Sequence, residues 1–424
     1  MQYFCNKKLK PTITIIGAGI AGLSAAVYLH KKGYSVQIIE ASDKVGGRIK
    51  TEIINGFRFD LGFQVLLTAY PETKALLDYE ELNLKKFLPG AAVLYDGGQF
   101  EIADPFRRPS ATFATLFAPV GSLKDKINTF VLKIKLLQIA IPAIFRQKEQ
   151  STLKQLSDYG FSTKMIDRFY KPFFSGIFLE NQLTTSSNMF DFVMKMFSEG
   201  DAAIPAFGME EIPKQLLSML PQNTVVYNTK VLKITGNKVI TDNGFESNSE
   251  KIIIATDALS LAENYIQKPK ANHHQVTNVY FESNFAPTKK AIVILNASEN
   301  KKWVNNLTVL TNVSKDYAPN GKILISVSYN GIPAIGDDIL SENIKNELKQ
   351  WYGEKVFDWK LLKVYRIDYA LPNQNNVTDE LTAVQMQIDE NVFICGDHLL
   401  NGSINAAMKS GRLVAELINN LSKI

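Results

Sequence analysis

Residues 12–48, TITIIGAGIAGLSAAVYLHKKGYSVQIIEASDKVGGR, constrain the fold more than any other stretch of the chain. Residues 12–16 form a short β-branched run ending in Gly17. Gly17-Ala18-Gly19-Ile20-Ala21-Gly22 then has the spacing G-x-G-x-x-G. In a strand–turn–helix setting each glycine has its own task. Gly17 permits the tight turn, Gly19 lets backbone approach a pyrophosphate, and Gly22 lets the helix pack closely on the strand. A helix over residues 20–32 aims its free N–H groups and positive dipole end at the phosphates. Residues 35–39 read as the second strand. Glu40 follows at roughly the 20-residue spacing expected of an acid that binds ribose hydroxyls.

A lone G-x-G-x-x-G carries little weight, because glycine turns are common. The strand before it, the helix after it and the acid beyond separate it from an ordinary βαβ unit. Gly46-Gly47-Arg48 adds a second glycine loop, with an arginine able to reach phosphate oxygens. That is more than a nicotinamide nucleotide usually requires. The run resembles the flavin-containing amine oxidoreductase superfamily, in which the βαβ unit, the acid and the GGR loop hold FAD. The resemblance implies FAD rather than NAD. It places Gly17, Gly19, Ile20, Ala21, Gly22, Glu40, Ala41, Gly46, Gly47 and Arg48 at the cofactor.

With 424 residues, 46% hydrophobic and 21% charged, the chain is long enough for two domains and ordinary for a globular protein. Its net charge of +5 is too mild for a nucleic-acid partner, and Lys7, Lys8 and Lys10 supply part of it. Cys5 and Cys395, the only cysteines, lie at opposite ends. They give no disulfide framework or metal site and point to a reducing, cytoplasmic setting. Residues 1–11 lack the apolar core of a signal peptide. The histidines show no metal-ligand spacing, and His273-His274 reads as a polar surface pair.

Residues 48–61 alternate around Asn55-Gly56 as a hairpin would and lead into Asp60-Leu61-Gly62-Phe63-Gln64. In the resembled superfamily this segment passes the isoalloxazine, which makes Gly62 and Gln64 flavin neighbours. Gln64 reads equally as a loop residue satisfying backbone groups. Residues 71–82 look helical, with Pro71 in the first turn, and 91–102 form a second hairpin around Asp96-Gly97-Gly98.

From residue 105 to about 220 the pattern is helical and rich in aromatics. Ile127, Phe130, Val131, Ile134, Leu137 and Ile141 recur at helical spacing opposite Lys126, Lys133 and Lys135. Lysines and Pro142 interrupt residues 127–145 too often for a bilayer span. Two readings stay open: a helix with that face on the core, or a basic amphipathic helix on a membrane surface, where a lipid-soluble substrate enters. The clusters FYKPFFSGIF (169–178) and MFDFVMKMF (189–197) read as core or as the wall of an apolar cavity. Gly208-Met209 opens a helix to residue 220; such a turn recurs in polyene desaturases and protoporphyrinogen oxidases of the superfamily.

Strand patterns return at 225–227, 230–235, 238–241 and 251–255, and Asp257 starts a helix. Alternating runs between 276 and 369 indicate an antiparallel sheet, with a helix over 341–352. Residues 391–395 read as a buried strand ending in Gly396-Asp397, followed by a long helix. This is the superfamily's second signature. It implies Asp397 on the ribityl chain or pyrophosphate, with Ser403 and Ile404 at a helix N-terminus facing the flavin pyrimidine, and backbone near Val231 on the adenine. Helix N–H groups there stabilise the charge of reduced flavin. The expected fold is α/β. A Rossmann-like FAD-binding domain takes residues 1–95, 221–268 and 385–424. An inserted α+β substrate domain takes 96–220 and 269–384, a helical part plus the antiparallel sheet.

A flavin that accepts a hydride at N5 needs no protein acid or base when the substrate C–H is activated, so no catalytic side chain is singled out. The aromatic-rich middle and the lack of an amine cage point to dehydrogenation of a small apolar or amphipathic substrate; the sequence leaves the acceptor open among oxygen, a quinone and another carrier. The nearest branches are phytoene desaturase and protoporphyrinogen oxidase. No spacing marks Lys289, Lys290 or Lys363 as an amine oxidase lysine. Cys395 is not placed for covalent attachment, so FAD is expected to be noncovalent. His398 reads as a loop residue. The alternatives are a flavin amine oxidase and a non-redox binding protein on the same scaffold, as in the Rab GDP-dissociation inhibitors.

Overall fold

The structure, a computed structural model, describes residues 12–256, 261 and 273–423. The helix expected at Asp257, the N-terminal lysines and Cys5 lie outside these residues. β1 (Thr12–Ile16), α1 (Ile20–Lys31) and β2 (Ser35–Ile39) stand where the glycine motif puts them. β1 is the centre of a five-stranded sheet in the order Val225–Val226, β2, β1, Lys251–Ile254, Val392–Ile394, and every pairing is parallel. Its strands are near-continuously apolar because both faces are covered. Ile13, Ile15, Ile38 and Ile253 join the main core under α1 and the Ile404–Leu421 helix. Ile16, Ile39, Ile252 and Ile254 pack on the other face against Val231, Ile234 and Val239 of a small antiparallel sheet. Gly411 lets the last helix lie on α1, since a Cβ there would sit 2.4 Å from the Ala21 carbonyl oxygen.

The first hairpin forms as expected, from β3 (Thr51–Ile54) and β4 (Phe57–Asp60). The helix expected over 71–82 ends at Leu76, with Leu77 extended. Asp78 Oδ1 accepts from the Glu80 and Glu81 N–H groups, at 2.9 and 3.1 Å. This local side-chain bond competes with helix continuation.

A second, seven-stranded sheet runs Lys360–Pro372, His273–Ser283, Ile323–Asn330, Asn306–Val309, Val293–Asn296, Gly90–Tyr95, Gly98–Ala103. Its strands between 273 and 372 pair only antiparallel, as expected, and Val293–Asn296 then joins Gly90–Tyr95 in parallel, which extends the sheet by a hairpin from earlier in the chain. The expected boundary at residues 95/96 runs through its terminal hairpin. His273-His274 opens the long strand, with both side chains partly exposed and His273 Nε2 3.6 Å from the exposed Asp368. His274 is half-buried, and burial holds its imidazole below the usual range. The helix expected from residue 341 starts at Asp337, where Asp337 and Asp338 complement the dipole.

The Leu123–Gln138 helix begins in a capping box, Ser122 with Asp125, and breaks at Ile139 before Pro142. Its inward side carries Asp125, Leu132 and Leu136, with Thr129 Oγ1 3.0 Å from the Tyr170 hydroxyl. The stripe with Ile127, Phe130, Val131, Ile134 and Leu137 faces outward, Ile127 and Val131 being 53% and 56% exposed. The core-facing reading is therefore corrected. Residues 125, 129, 132 and 136 follow the same helical period on the other side, and periodicity alone does not say which stripe is covered. Among the described residues no helix is long and apolar enough to cross a membrane.

Candidate cofactor and substrate site

A cavity of about 1200 Å³ opens at the C-terminal ends of β1 and β2 and runs on between the second sheet and the helices. Gly17, Gly19, Ile20, Ala21, Glu40, Ala41, Gly46, Gly47 and Arg48 line it. So do Gly62, Gln64, Val231, Gly396, Asp397, Ser403 and Ile404. Of the positions named from the sequence, only Gly22 does not, and the sterics explain why. A Cβ on Gly22 would lie 2.1 Å from the Gly17 carbonyl oxygen, so this glycine serves helix packing. Gly17 has φ +104°, and its Cβ would meet Thr256 Cγ2 at 2.8 Å and the Ala255 carbonyl at 2.9 Å. Gly19 has no atom within 4 Å of an added Cβ. Nothing in the protein demands glycine there except the open cradle beside it.

The electrostatics of this end suit a dinucleotide. No side chain caps α1 at Gly19, so its first N–H groups remain available. Glu40 Oε2 accepts the Ala18 N–H at 2.7 Å, and Oε1 accepts the Ser42 N–H and hydroxyl. Oε2 thus keeps capacity for another donor, as a ribose hydroxyl would require. The Gly46 N–H donates to the Ala18 carbonyl, and Gly47 lies against Gly19, so the two glycine loops form one wall. Ser403 Oγ accepts the Ala406 N–H at 3.0 Å and caps the helix whose start lines the cavity.

Arg48 and Asp397, which the sequence assigned separately, are a pair: Nη2 lies 2.6 Å from Oδ1, with Asp397 buried. Arg48 also donates to the Ala370 carbonyl and sits over the Tyr369 ring at 5.1 Å. Tyr369 is a site residue that sequence reasoning missed; only the pairing of distant strands brings it here. Gln64 Nε2 donates to the Arg48 and Leu61 carbonyls at 3.0 Å, which is the loop role. Its Oε1 is buried without a protein partner and borders the cavity. The loop is braced from below. Gly208, at φ +107°, turns so that the Met209 N–H donates to Asp60 Oδ1 and the Glu210 N–H to Thr51 Oγ1. Tyr317 donates to the other Asp60 oxygen at 2.7 Å. Burial of this carboxyl raises its pKa.

Beyond Gly62 the cavity becomes an apolar tunnel. Phe169, Phe173 and Ile177 line it, while Tyr170, Phe174 and Phe178 enter the core. Met189, Val193, Met194 and Phe197 line it likewise, whereas Phe190, Phe192 and Met196 are core. Each aromatic cluster is thus core on one face and cavity wall on the other. The lining carboxylates are all engaged: Glu40 as above, Asp397 with Arg48, Asp104 with Lys133, and Asp201 with Arg107 and Lys86. Lys289, Lys290 and Lys363 lie outside the lining; Lys290 pairs with Glu101, and Lys363 with Glu52 at 3.4 Å. Burial pushes the Cys395 thiol up to about 12. His398 borders the cavity.

Comparison with known proteins agrees with this geometry. The chain is 52% identical over 61 residues to a 4,4'-diapolycopene oxygenase of Methylomonas sp., covering 14% of this chain and 12% of that protein. It is 29% identical over 168 residues to a 1-hydroxycarotenoid 3,4-desaturase of Flavobacterium sp., covering 38% and 33%. The matches therefore span at most a third of these relatives' length. An oxidoreductase structure from Methanosarcina mazei superposes with a TM-score of 0.73 at 16% identity over 96% of this chain and 100% of that one, which establishes the shared fold. The family model for flavin containing amine oxidoreductases matches residues 20–419, nearly the whole chain, and the protein belongs to that family.

Proposed function

We propose that the protein is an FAD-dependent oxidoreductase that dehydrogenates a small apolar or amphipathic molecule, nearest in kind to the desaturase and protoporphyrinogen oxidase branches. The observation that carries this reading is the apolar tunnel continuing from the nucleotide cradle, with every carboxylate along it already paired or hydrogen-bonded. An ammonium substrate finds no free anion there, which disfavours the amine oxidase alternative.

On this reading the parallel-sheet segments form the cofactor part, and the seven-stranded sheet with the helices forms the substrate part. Gly19, Gly47 and the start of α1 would hold the pyrophosphate with Arg48, Glu40 the ribose, and backbone near Val231 the adenine. Gly62, Gln64 and Ile404 would border the flavin ring, and Asp397 and Ser403 the chain leading to it. Bound FAD supplies a hydride acceptor at N5. Phe169, Phe173, Met194 and Phe197 bind hydrocarbon by burial and exclude water. The helix N-terminus at Ser403–Ile404 favours the negative charge that develops beside it. No side chain is assigned a proton transfer. The buried, protonated Cys395 supports noncovalent attachment.

The test is an absorption spectrum, release of the chromophore by heat or acid, and anaerobic mixing with polyenes, porphyrinogens and amines. Releasable flavin bands that bleach with a polyene or porphyrinogen are expected. Fast peroxide release from a simple amine would instead make it an amine oxidase. A colourless protein that takes up no FAD would favour the non-redox scaffold.

A further inference from the structure

Ten of the large apolar side chains exposed on the described structure fall between residues 106 and 137, Phe113 and Phe117 being 76% and 78% exposed. They form one patch. The Phe106 and Phe130 rings stack at 5.1 Å, and Lys126 Nζ donates to the Leu116 and Ala118 carbonyls. That second contact ties the end of the Thr112–Phe117 helix to the Leu123–Gln138 helix. The tunnel opens within the patch, because Phe106, Leu116, Leu123, Ile127 and Phe130 are at once exposed and part of the cavity lining. A contiguous apolar surface of this kind marks a docking site.

Charge identifies the occupant. Residues 105–148 contain eight basic side chains and a single acid, Asp125, while the rest of the chain carries a slight acidic excess. Asp125 is buried in its capping box; Arg107, Arg108, Lys133 and Arg146 pair with Asp201, Glu101, Asp104 and Glu380 from outside the segment, while Lys124, Lys135 and Lys148 are exposed beside the apolar stripe. A second copy of the chain would bring two such basic segments together. Anionic headgroups would neutralise them while acyl chains cover the apolar stripe.

We propose that this face docks the protein on the surface of an anionic bilayer, without spanning it, so that the tunnel mouth opens into the acyl region and an apolar substrate passes directly from lipid to the flavin site. The inference rests on the tunnel being the substrate path. The docking itself is measurable without substrate.

The experiment is flotation of the flavin-loaded protein with phosphatidylcholine vesicles, with and without phosphatidylglycerol. Wild type is expected to float with the anionic vesicles and to bind about tenfold less to neutral ones or at high salt. Phe113→Asp/Phe117→Asp alters two exposed side chains. It should weaken binding by about tenfold or more, in proportion to the apolar area withdrawn from lipid, with an unchanged flavin spectrum and melting temperature. Lys124→Glu/Lys135→Glu should lose the preference for anionic vesicles. Wild type that ignores anionic vesicles at low salt, or a Phe double variant that binds like wild type, overturns the proposal. So does a dimer in solution that the Phe double variant dissociates, since the patch would then be an interface between copies. Vesicle binding without flavin reduction by any polyene or porphyrinogen would overturn the reaction and leave the docking face standing.

Discussion

Alanine at Gly19 and alanine at Gly22 each add one methyl group to the same motif, with separable consequences. The Gly22 methyl would lie 2.1 Å from the Gly17 carbonyl oxygen and 3.1 Å from Ala255 Cβ, so helix and strand must part. Overpacking of this kind costs about 1–3 kcal/mol. The better helix propensity of alanine offsets about 1 kcal/mol of it. Gly22→Ala should therefore lower the melting temperature of the cofactor-free protein by a few degrees and impair FAD binding with it. Gly19 has φ −73° and ψ 177°, which any residue adopts, and nothing lies within 4 Å of its added Cβ. Gly19→Ala should change apoprotein stability by less than about 1 kcal/mol, the difference between glycine and alanine as caps. Its methyl does occupy the space assigned to the pyrophosphate. Losing one charge-assisted hydrogen bond to backbone there costs about 1.5–3 kcal/mol, or roughly 10- to 150-fold in FAD affinity. Melting of the apoprotein by circular dichroism and titration by flavin fluorescence quenching measure the two effects. Wild-type affinity in Gly19→Ala would refute the path of the pyrophosphate; an unshifted melt in Gly22→Ala would refute the steric argument.

Glu40→Ala should purify with little flavin, because it strips the proposed ribose acceptor and leaves the Ala18 N–H unpaired, while Cys395→Ser should keep its flavin; equal flavin content in wild type and Glu40→Ala counts against the assignment. Burial lifts the Asp191 carboxyl from its ordinary 3.8 to about 6. The native state therefore binds that proton more tightly than the unfolded chain does. The resulting stability is full below pH 3.8 and is lost as pH rises through 6, by at most about 3 kcal/mol. Asp191→Asn, neutral throughout, should gain on wild type in melting temperature between pH 4 and pH 8, and a pH-independent difference would contradict this. Met194→Trp should block the tunnel and slow flavin reduction by a polyene about tenfold or more, the range expected when a packed apolar site is overfilled, with normal FAD content; unchanged reduction would move the substrate path elsewhere.

The geometry of the glycine-lined cradle was legible because its signals are local. The tight turn at Gly17, the helix contact at Gly22 and the acid ending β2 depend on neighbours a few residues away or on the fixed geometry of one βαβ unit. The same holds for the β3–β4 hairpin and for the glycine-acid pair before the last helix. Where local bonding competed, the sequence pattern overran: the helix at Pro71 stops at Leu76 because Asp78 bonds its own following backbone. The aromatic clusters were ambiguous for a different reason. Phe173 and Phe174 are adjacent in sequence, yet one lines the tunnel and the other is core.

By itself the sequence determined the βαβ unit, the glycine loops, the family and the apolar character of the middle of the chain, since propensity, turn chemistry and periodicity act over one element at a time. Tertiary structure decided what required elements far apart to meet. It paired Arg48 with Asp397 across 349 positions and set Tyr369 beneath the guanidinium. It joined Val293–Asn296 in parallel to Gly90–Tyr95. It also turned the Ile127–Val131 stripe outward while Leu132 and Leu136 took the core. A periodic pattern states that a face is apolar; whether protein or something else covers that face depends on where the rest of the chain has gone.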